Sequence, residues 1–376
     1  MKNDKKIFFE NLDGLRFLSF LSVFLYHSFY TESCQVGQNK LYLFLTDRLF
    51  ANGNLGVNFF FVLSGFLITF LLIEEKLKTN KIHVVNFWMR RVLKIWPLFY
   101  FAVIFGFFGF PFLKSLFGQT PNETAQIGYY LSFLNNFNLI KNGLPDASIL
   151  GVLWSVAIEE QFYFIWPIIL YFFPVKKYWI PFLLIIFSSI IFRSITNSDI
   201  LNEHHTLSCI GDMSIGALGA WLIHKERIKL IVKNLKKYQI ISVYVIFILV
   251  FLFRKELFFE NYILRVIERP FIAIIILFII LEQNFSKNSF FKMKNFKTIS
   301  KLGIITYGLY CLHFIGILIT LTLMKKLHFS DNLFNIIVIE TLVSLFLSII
   351  IAKISYKYFE SPFLKLKKRF SHIKTR

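Results

Sequence analysis

Arg16 and His27 are the pair of residues in this chain whose types and spacing point most directly to chemistry. They stand in LDGLRFLSFLSVFLYHS (12–28), an otherwise apolar run. Eleven residues at 100° each bring the histidine to about 20° past three full turns, so on a helix both side chains share one face, ~16 Å apart along its axis. Ionisable groups in so apolar a helix are costly and mark a site by default. A guanidinium at one end can take a phosphate by charge and paired hydrogen bonds. An uncharged imidazole deeper along the rod can act as a base. The plainer reading has Arg16 reaching out to lipid headgroups and His27 bonded to a neighbouring helix.

Three further constellations stand beside this pair. In FWMRRVLKIWPLFY (87–100), Arg90 and Lys94 are four residues apart and share a helical face, with Arg91 beside them. Such a cluster suits a diphosphate or a phosphorylated ribose, although orientation in a membrane alone also demands basic helix ends. In LWSVAIEEQFYFIWP (153–167), Glu159 and Glu160 sit well inside an apolar run that also offers Trp154, Ser155 and Tyr163 to a substrate. One carboxylate could orient His27, and the other could pair with an arginine from Arg265, Glu268 and Arg269 further on; a purely structural ion network is the alternative. Tyr307, Tyr310 and His313 in ITYGLYCLHF (305–314) recur at three-residue spacing along one helical face and complete the substrate-binding candidates. Asp212, Glu340 and Glu360 read as structural, and the adjacent His204 and His205 do not make a metal site.

These residues must be held by a membrane protein. The chain is 56% hydrophobic and contains 49 Phe among 376 residues, too apolar for a soluble domain of that length. Apolar windows predict an all-α bundle of about ten transmembrane helices, near 15–30, 55–73, 92–113, 150–173, 178–196, 206–224, 238–253, 262–281, 302–324 and 333–358. The stretch 127–140, interrupted by Asn135, Asn136 and Asn138, reads as an interfacial or re-entrant piece, with an eleventh span as the competing assignment. The net charge of +20 does not imply nucleic acid, because the basic residues fall in short clusters between apolar runs. With Lys2, Lys5 and Lys6 placed in the cytoplasm, strict alternation puts the loop Lys/Arg inside by roughly three to one, which predicts both termini cytoplasmic. No cleavage site follows the first run, so it reads as an uncleaved span. Cys34, Cys209 and Cys311 have no metal-ligand or framework spacing, leaving only a Cys34–Cys209 pairing in an oxidising compartment. No internal repeat and no stretch long enough for an appended soluble domain is visible, so residues 1–376 read as one transmembrane domain.

Taken in order, LDGLRFLSFLSVFLYH, GVNFFFVLSGFLIT, FWMRRVLKIWP, LWSVAIEEQFYFIWP, ITYGLYCLHF and YFESPF resemble the bacterial membrane acyltransferase family usually called acyltransferase 3, over nearly the whole chain. The resemblance implies O-acylation, typically O-acetylation, of surface polysaccharide, lipopolysaccharide, peptidoglycan, glycolipid or secondary metabolite at the bacterial inner membrane. It places the family's hallmark arginine–histidine pattern on Arg16 and His27, and its RR-x-x-R motif on Arg90, Arg91 and Lys94. The last of these keeps the charge but lacks the planar fork of arginine. Acyl-CoA, with acetyl-CoA first, would be the donor substrate, no cofactor would be tightly bound and no metal is implied. The other expected partners are membrane lipids and a glycan or glycolipid acceptor, with no oligomeric state indicated. His27 would serve as base or acyl relay, aided by Glu159 or Glu160. A transporter or flippase, or a non-enzymatic part of a polysaccharide-export complex, is the alternative class.

Overall fold

The computed structural model describes residues 8–31, 33–327, 329 and 332–371. Lys2, Lys5, Lys6, Lys374 and Arg376, which entered the charge count, lie outside the described residues. Among those described the fold is all-helical. The principal helices are α1 (Glu10–His27), α2 (Leu55–Thr79), α3 (Val84–Ile104), α4 (Trp154–Phe172), α5 (Trp179–Ile195), α6 (Thr206–Ile223), α7 (Lys237–Phe258), α8 (Tyr262–Phe285), α9 (Thr306–Lys326) and α10 (Thr341–Ile354). Each falls within a few residues of an apolar window in the sequence.

Among the described residues seven helical segments are long and apolar enough to cross a membrane: Leu55–Thr79, Val84–Leu116, Ser148–Phe172, Val175–Ile195, Asp199–Ile223, Thr306–Lys326 and Asn335–Phe370. The chain is a multi-pass membrane protein. The expected total of about ten is met only in part, for physical reasons. Glu10, Asp13 and Arg16 lower the hydropathy of α1, and Arg265, Glu268, Arg269 and Glu282 do the same in α8. Helix α7 is interrupted at Phe253, whose φ of −121° and ψ of 29° are not helical. The outer faces are apolar, with Phe108, Phe172, Ile195 and Phe346 exposed, while Asn58, Glu75, Asp212, Arg269 and Glu282 are buried. Polar groups inside and apolar groups outside is the arrangement a bilayer demands.

Two glycines fix the centre of the bundle. A Cβ at Gly65 in α2 would lie 1.9 Å from the Met213 carbonyl oxygen in α6, and one at Gly216 in α6 would lie 2.0 Å from the Val62 oxygen in α2. The two backbones therefore touch at two levels, an approach that only residues without a side chain permit. Neighbouring Ser64 is thereby held at a fixed height.

The 127–140 stretch is neither one span nor one helix. It forms two short helices, Ile127–Leu131 and Asn135–Asn142, joined through Phe133 at φ 55°. Asn136 donates to Thr206 Oγ1 and the His204 carbonyl and accepts from Gln161, which ties the piece to α4 and α6. Asn136 thus has docking partners, which a lipid-crossing helix would not supply. The three cysteines are unpaired.

Helix α3 runs through a π turn, Phe105–Gly109, into Phe110–Leu116. Helix α10 is flanked by π turns at Asn335–Glu340 and Ser355–Glu360, the second leading through Pro362 into a short helix α11 (Ser361–Leu366) and a 3-10 turn, Lys367–Phe370. Such insertions redirect a helix without breaking it. Here the last one turns the chain back towards α3, where Arg90 donates to the Phe370 carbonyl at 2.7 Å.

Candidate active site

A cavity of about 1020 Å³ opens between α1, α2, α3, α4, α9 and the 361–371 segment. That is the upper end of the range for small-molecule sites. Its wall includes Arg16, Arg91 and Lys94, joined by Lys365, Lys367 and Lys368, against only two carboxylates, Asp13 and Glu159. Asp13 is spoken for by Arg16, Nη1 to Oδ1 2.6 Å. Among the described residues, neither Arg91 nor Lys94 forms an ion pair. Arg91 lies over the rings of Phe87 and Tyr163, and its buried Nε has no hydrogen-bond partner. Lys94 shares the cavity wall with Arg91, Arg16 and Lys367, cations that outnumber the carboxylates there. Buried positive charge without a counter-ion is unstable unless an anion arrives.

Not all of the basic motif faces this space. Arg90 points the other way, donating Nη2 to Glu75 Oε2 at 3.0 Å, and Glu75 Oε1 in turn takes the His83 backbone amide and ring Nδ1. The face shared by Arg90 and Lys94 in the sequence reading is replaced by one holding Arg91 and Lys94, three residues apart and still neighbours on a helix. Arg90 is a peg that fastens α2 and the 361–371 segment to α3.

The adjacent glutamates are likewise divided, as the 100° step between neighbours requires. Glu159 is in the cavity wall, where it accepts from Ser64 Oγ at 2.7 Å and from Tyr163 OH at 2.9 Å. Glu160 faces away and accepts from Trp96 Nε1 at 2.7 Å, its other oxygen buried without a partner. Ser155, one turn before Glu159, lines the cavity and bonds Tyr310 OH at 2.7 Å, while Tyr310 also donates to the Val152 carbonyl. Tyr307 lines the cavity and donates to the Ile95 carbonyl at 2.8 Å. Trp154 is outside the wall, edge-on to Phe61 and His204.

His27 is not in the cavity wall. Its half-buried ring packs on His313, centroids 5.5 Å apart, and on Phe314 at 4.8 Å. His313 is fully buried, and its Nδ1 is 2.8 Å from the Tyr310 carbonyl oxygen. A carbonyl can only accept, so Nδ1 carries the proton and Nε2 is left with a bare lone pair; that atom has no partner. Tyr310 in the wall, His313 behind it and His27 beyond therefore form one continuous row leading out of the cavity.

Arg265 and the other charges of α8 are elsewhere. Arg265 pairs with Asp199, Arg269 with Asp212 at 2.9 Å, and Glu268 with both Arg193 and Arg254. The expected pairing of an α4 glutamate with an α8 arginine does not occur, because Asp199 and Asp212 take Arg265 and Arg269. Arg265 lines a separate niche of about 20 Å³, room for one water. Among the described residues no group of His, Cys, Asp and Glu could hold a metal.

Sequence reading missed Ser64, Asp13 and the lysines of the 361–371 segment. Ser64 did carry a signal, a hydroxyl beside a glycine in the middle of an apolar span. The lysines carried none, since a basic cluster after a span is already explained by orientation.

The acyltransferase-domain family matches residues 9–355, and the chain belongs to that family. Among curated proteins, it is 34% identical over 163 residues to peptidoglycan O-acetyltransferase OatA of Listeria monocytogenes, covering 42% of this chain and 23% of that one. It is 33% identical over 168 residues to O-acetyltransferase OatA of Staphylococcus aureus, 43% and 24% of the respective chains. A putative O-acetyltransferase of Staphylococcus aureus (strain COL) is 27% identical over 385 residues, 97% of this chain and 58% of that one. The matched region is thus about a quarter of the two OatA proteins and under two thirds of the third. No solved structure matches.

Proposed function

We propose that this acyltransferase moves an acetyl or other acyl group from acyl-CoA to a hydroxyl of a cell-surface glycan or glycolipid. On this reading the chain passes the inner membrane ten times with both termini in the cytoplasm, and the cationic cavity mouth faces the cytoplasm. The single observation that carries the reading is a large cavity whose lining is rich in cations, with a row of Tyr310, His313 and His27 leading away from it. Phosphates of the donor would rest on Arg16, Arg91 and Lys94. Its pantetheine arm would run between the apolar side chains of Val57, Phe60 and Ile68 and past Ser64, Glu159 and Ser155.

The reaction is a single displacement. The acceptor hydroxyl gives its proton to an imidazole nitrogen of His27 while its oxygen attacks the thioester carbon. The C–S bond then breaks, and the coenzyme A thiolate takes up the proton. Where donor and acceptor arrive from opposite sides, His27 instead takes the acyl group on nitrogen and hands it on, with the same balance of bonds. His313, its Nε2 free, holds the second imidazole in place and can share the proton. His27 lies beyond Tyr310 and His313 in that row, so the acyl end, and not the bulky nucleotide, would be directed towards it. The names of the relatives, O-acetyltransferases, favour acetyl among acyl groups.

Membranes carrying His27→Gln, given radiolabelled acetyl-CoA and an extract of surface glycan, should transfer no label although the protein accumulates normally. Full transfer by that variant would refute the mechanism. A transporter would carry cargo without ever cleaving the thioester.

A further inference from the structure

The 361–371 segment is more than the end of a topology signal. It leaves the bundle at the Ser355–Glu360 π turn, where Ser355 donates to buried Glu360, and is redirected by Pro362. It is then pinned at its far end by Arg90, whose guanidinium holds the Phe370 carbonyl with one nitrogen and Glu75 with another. Between the two fixed points Leu364, Lys365, Lys367, Lys368 and Ser371 form part of the same cavity wall as Arg16, Arg91 and Lys94. Among the described residues none of these three lysines has an ion-pair partner. Lys367 is half-buried, so its charge faces the cavity without full hydration. Lysines serving only to orient a helix or to touch headgroups would point outward to water or lipid. These instead line the cavity, Lys365 and Lys368 exposed and Lys367 drawn further in, together with Arg91 and Lys94, which form no ion pair either. Like charges are gathered so closely only where a ligand of high negative charge completes them.

We infer that the 361–371 segment is one jaw of a polyphosphate site, with Lys365, Lys367 and Lys368 facing Arg91 and Lys94 across the phosphates of a nucleotide thioester. The inference rests on the donor assigned above and adds to it residues that the basic motif of α3 does not contain. It also explains why Arg90 is held away from the cavity: its work is to fasten the jaw. An anionic phospholipid headgroup offers the same phosphate chemistry and is the alternative source.

The test uses full-length protein in nanodiscs and measures binding of coenzyme A and of pantetheine, which lacks the phosphates. Lys367→Gln with Lys368→Gln should weaken coenzyme A binding by about tenfold to a hundredfold, the worth of one lost charged hydrogen bond. Pantetheine binding should not change, and Lys367→Arg with Lys368→Arg should restore coenzyme A affinity, which separates loss of contact from misfolding. The loss should be equal in discs of phosphatidylcholine alone and in discs containing phosphatidylglycerol. Unaltered coenzyme A affinity in the Gln variant, with the parent protein binding normally, overturns the jaw and spares the donor assignment. A deficit seen only with phosphatidylglycerol overturns it in favour of lipid. Failure of the parent protein to bind coenzyme A removes both.

Discussion

His313 donates its Nδ1 proton to the carbonyl of Tyr310, three residues before it, and presents its ring to His27 at 5.5 Å. A buried histidine fixed in one tautomer beside a second histidine is a poor structural device and a good proton partner. His313→Gln keeps the volume and a hydrogen bond but removes the basic nitrogen. It should lower kcat by about 10²–10⁴-fold, the usual worth of a general base, and leave the KM for acetyl-CoA nearly unaltered. A rise in KM with kcat intact would place His313 in donor binding instead.

The cavity mouth predicts a dependence on salt. Phosphate contacts to Arg91 and Lys94 are charge–charge interactions, and screening weakens them as the Debye length falls from about 10 Å at 0.1 M to about 3 Å at 1 M. KM for acetyl-CoA should climb with ionic strength, and Lys94→Gln should raise KM at low salt while flattening that climb. Initial-rate measurements across a salt series decide the matter.

Arg90 and Glu75 should behave as a structural couple. Glu75 is 2% exposed, so Arg90→Met leaves a buried carboxylate with only His83 against it and should cost about 3–5 kcal/mol. Adding Glu75→Gln should recover part of that loss, a coupling that a double-mutant cycle of thermal stability in detergent would register. Strictly additive losses would mean that the ion pair is idle.

A clamp in the loop between α3 and α4 gives a pH dependence. Burial tends to raise the Asp146 carboxyl, but the hydrogen bonds from Lys114 Nζ at 2.7 Å and the Asn122 amide, with the lysine's charge, outweigh it and hold it below its ordinary 3.8. A carboxylate lowered on folding stabilises the fold above its unfolded pKa, and the contribution disappears as pH falls through the lowered value. Proteolysis of the loop between α3 and α4 should therefore accelerate only under strong acid, below about pH 4. In Asp146→Asn it should be fast at neutral pH as well.

The helices were legible because membrane spans announce themselves by apolar length, and even α1 and α8, whose charges blunt that signal, appeared where the windows lie. What the sequence could not show was which way each charged side chain turns. Adjacency made Glu159 and Glu160 look like one unit, and four-residue spacing coupled Arg90 to Lys94. The fold assigns one member of each pair to the cavity and the other to a structural partner, Trp96 or Glu75, supplied by a distant part of the chain. The α8 arginines were drawn towards the site by their rarity in a membrane helix. Asp199 and Asp212 claim those charges first, and no local pattern in the chain reveals it. Asn135, Asn136 and Asn138, by contrast, argued correctly against a simple span.

The reciprocal glycines Gly65 and Gly216 weld α2 and α6 into a single plank. Turnover requires a substrate to come in and a product to leave, and a plank with no slack between its halves cannot supply that motion. Any breathing of the chamber is therefore left to the walls that this plank does not form. On the α2 side the reaction chamber is thus an anvil.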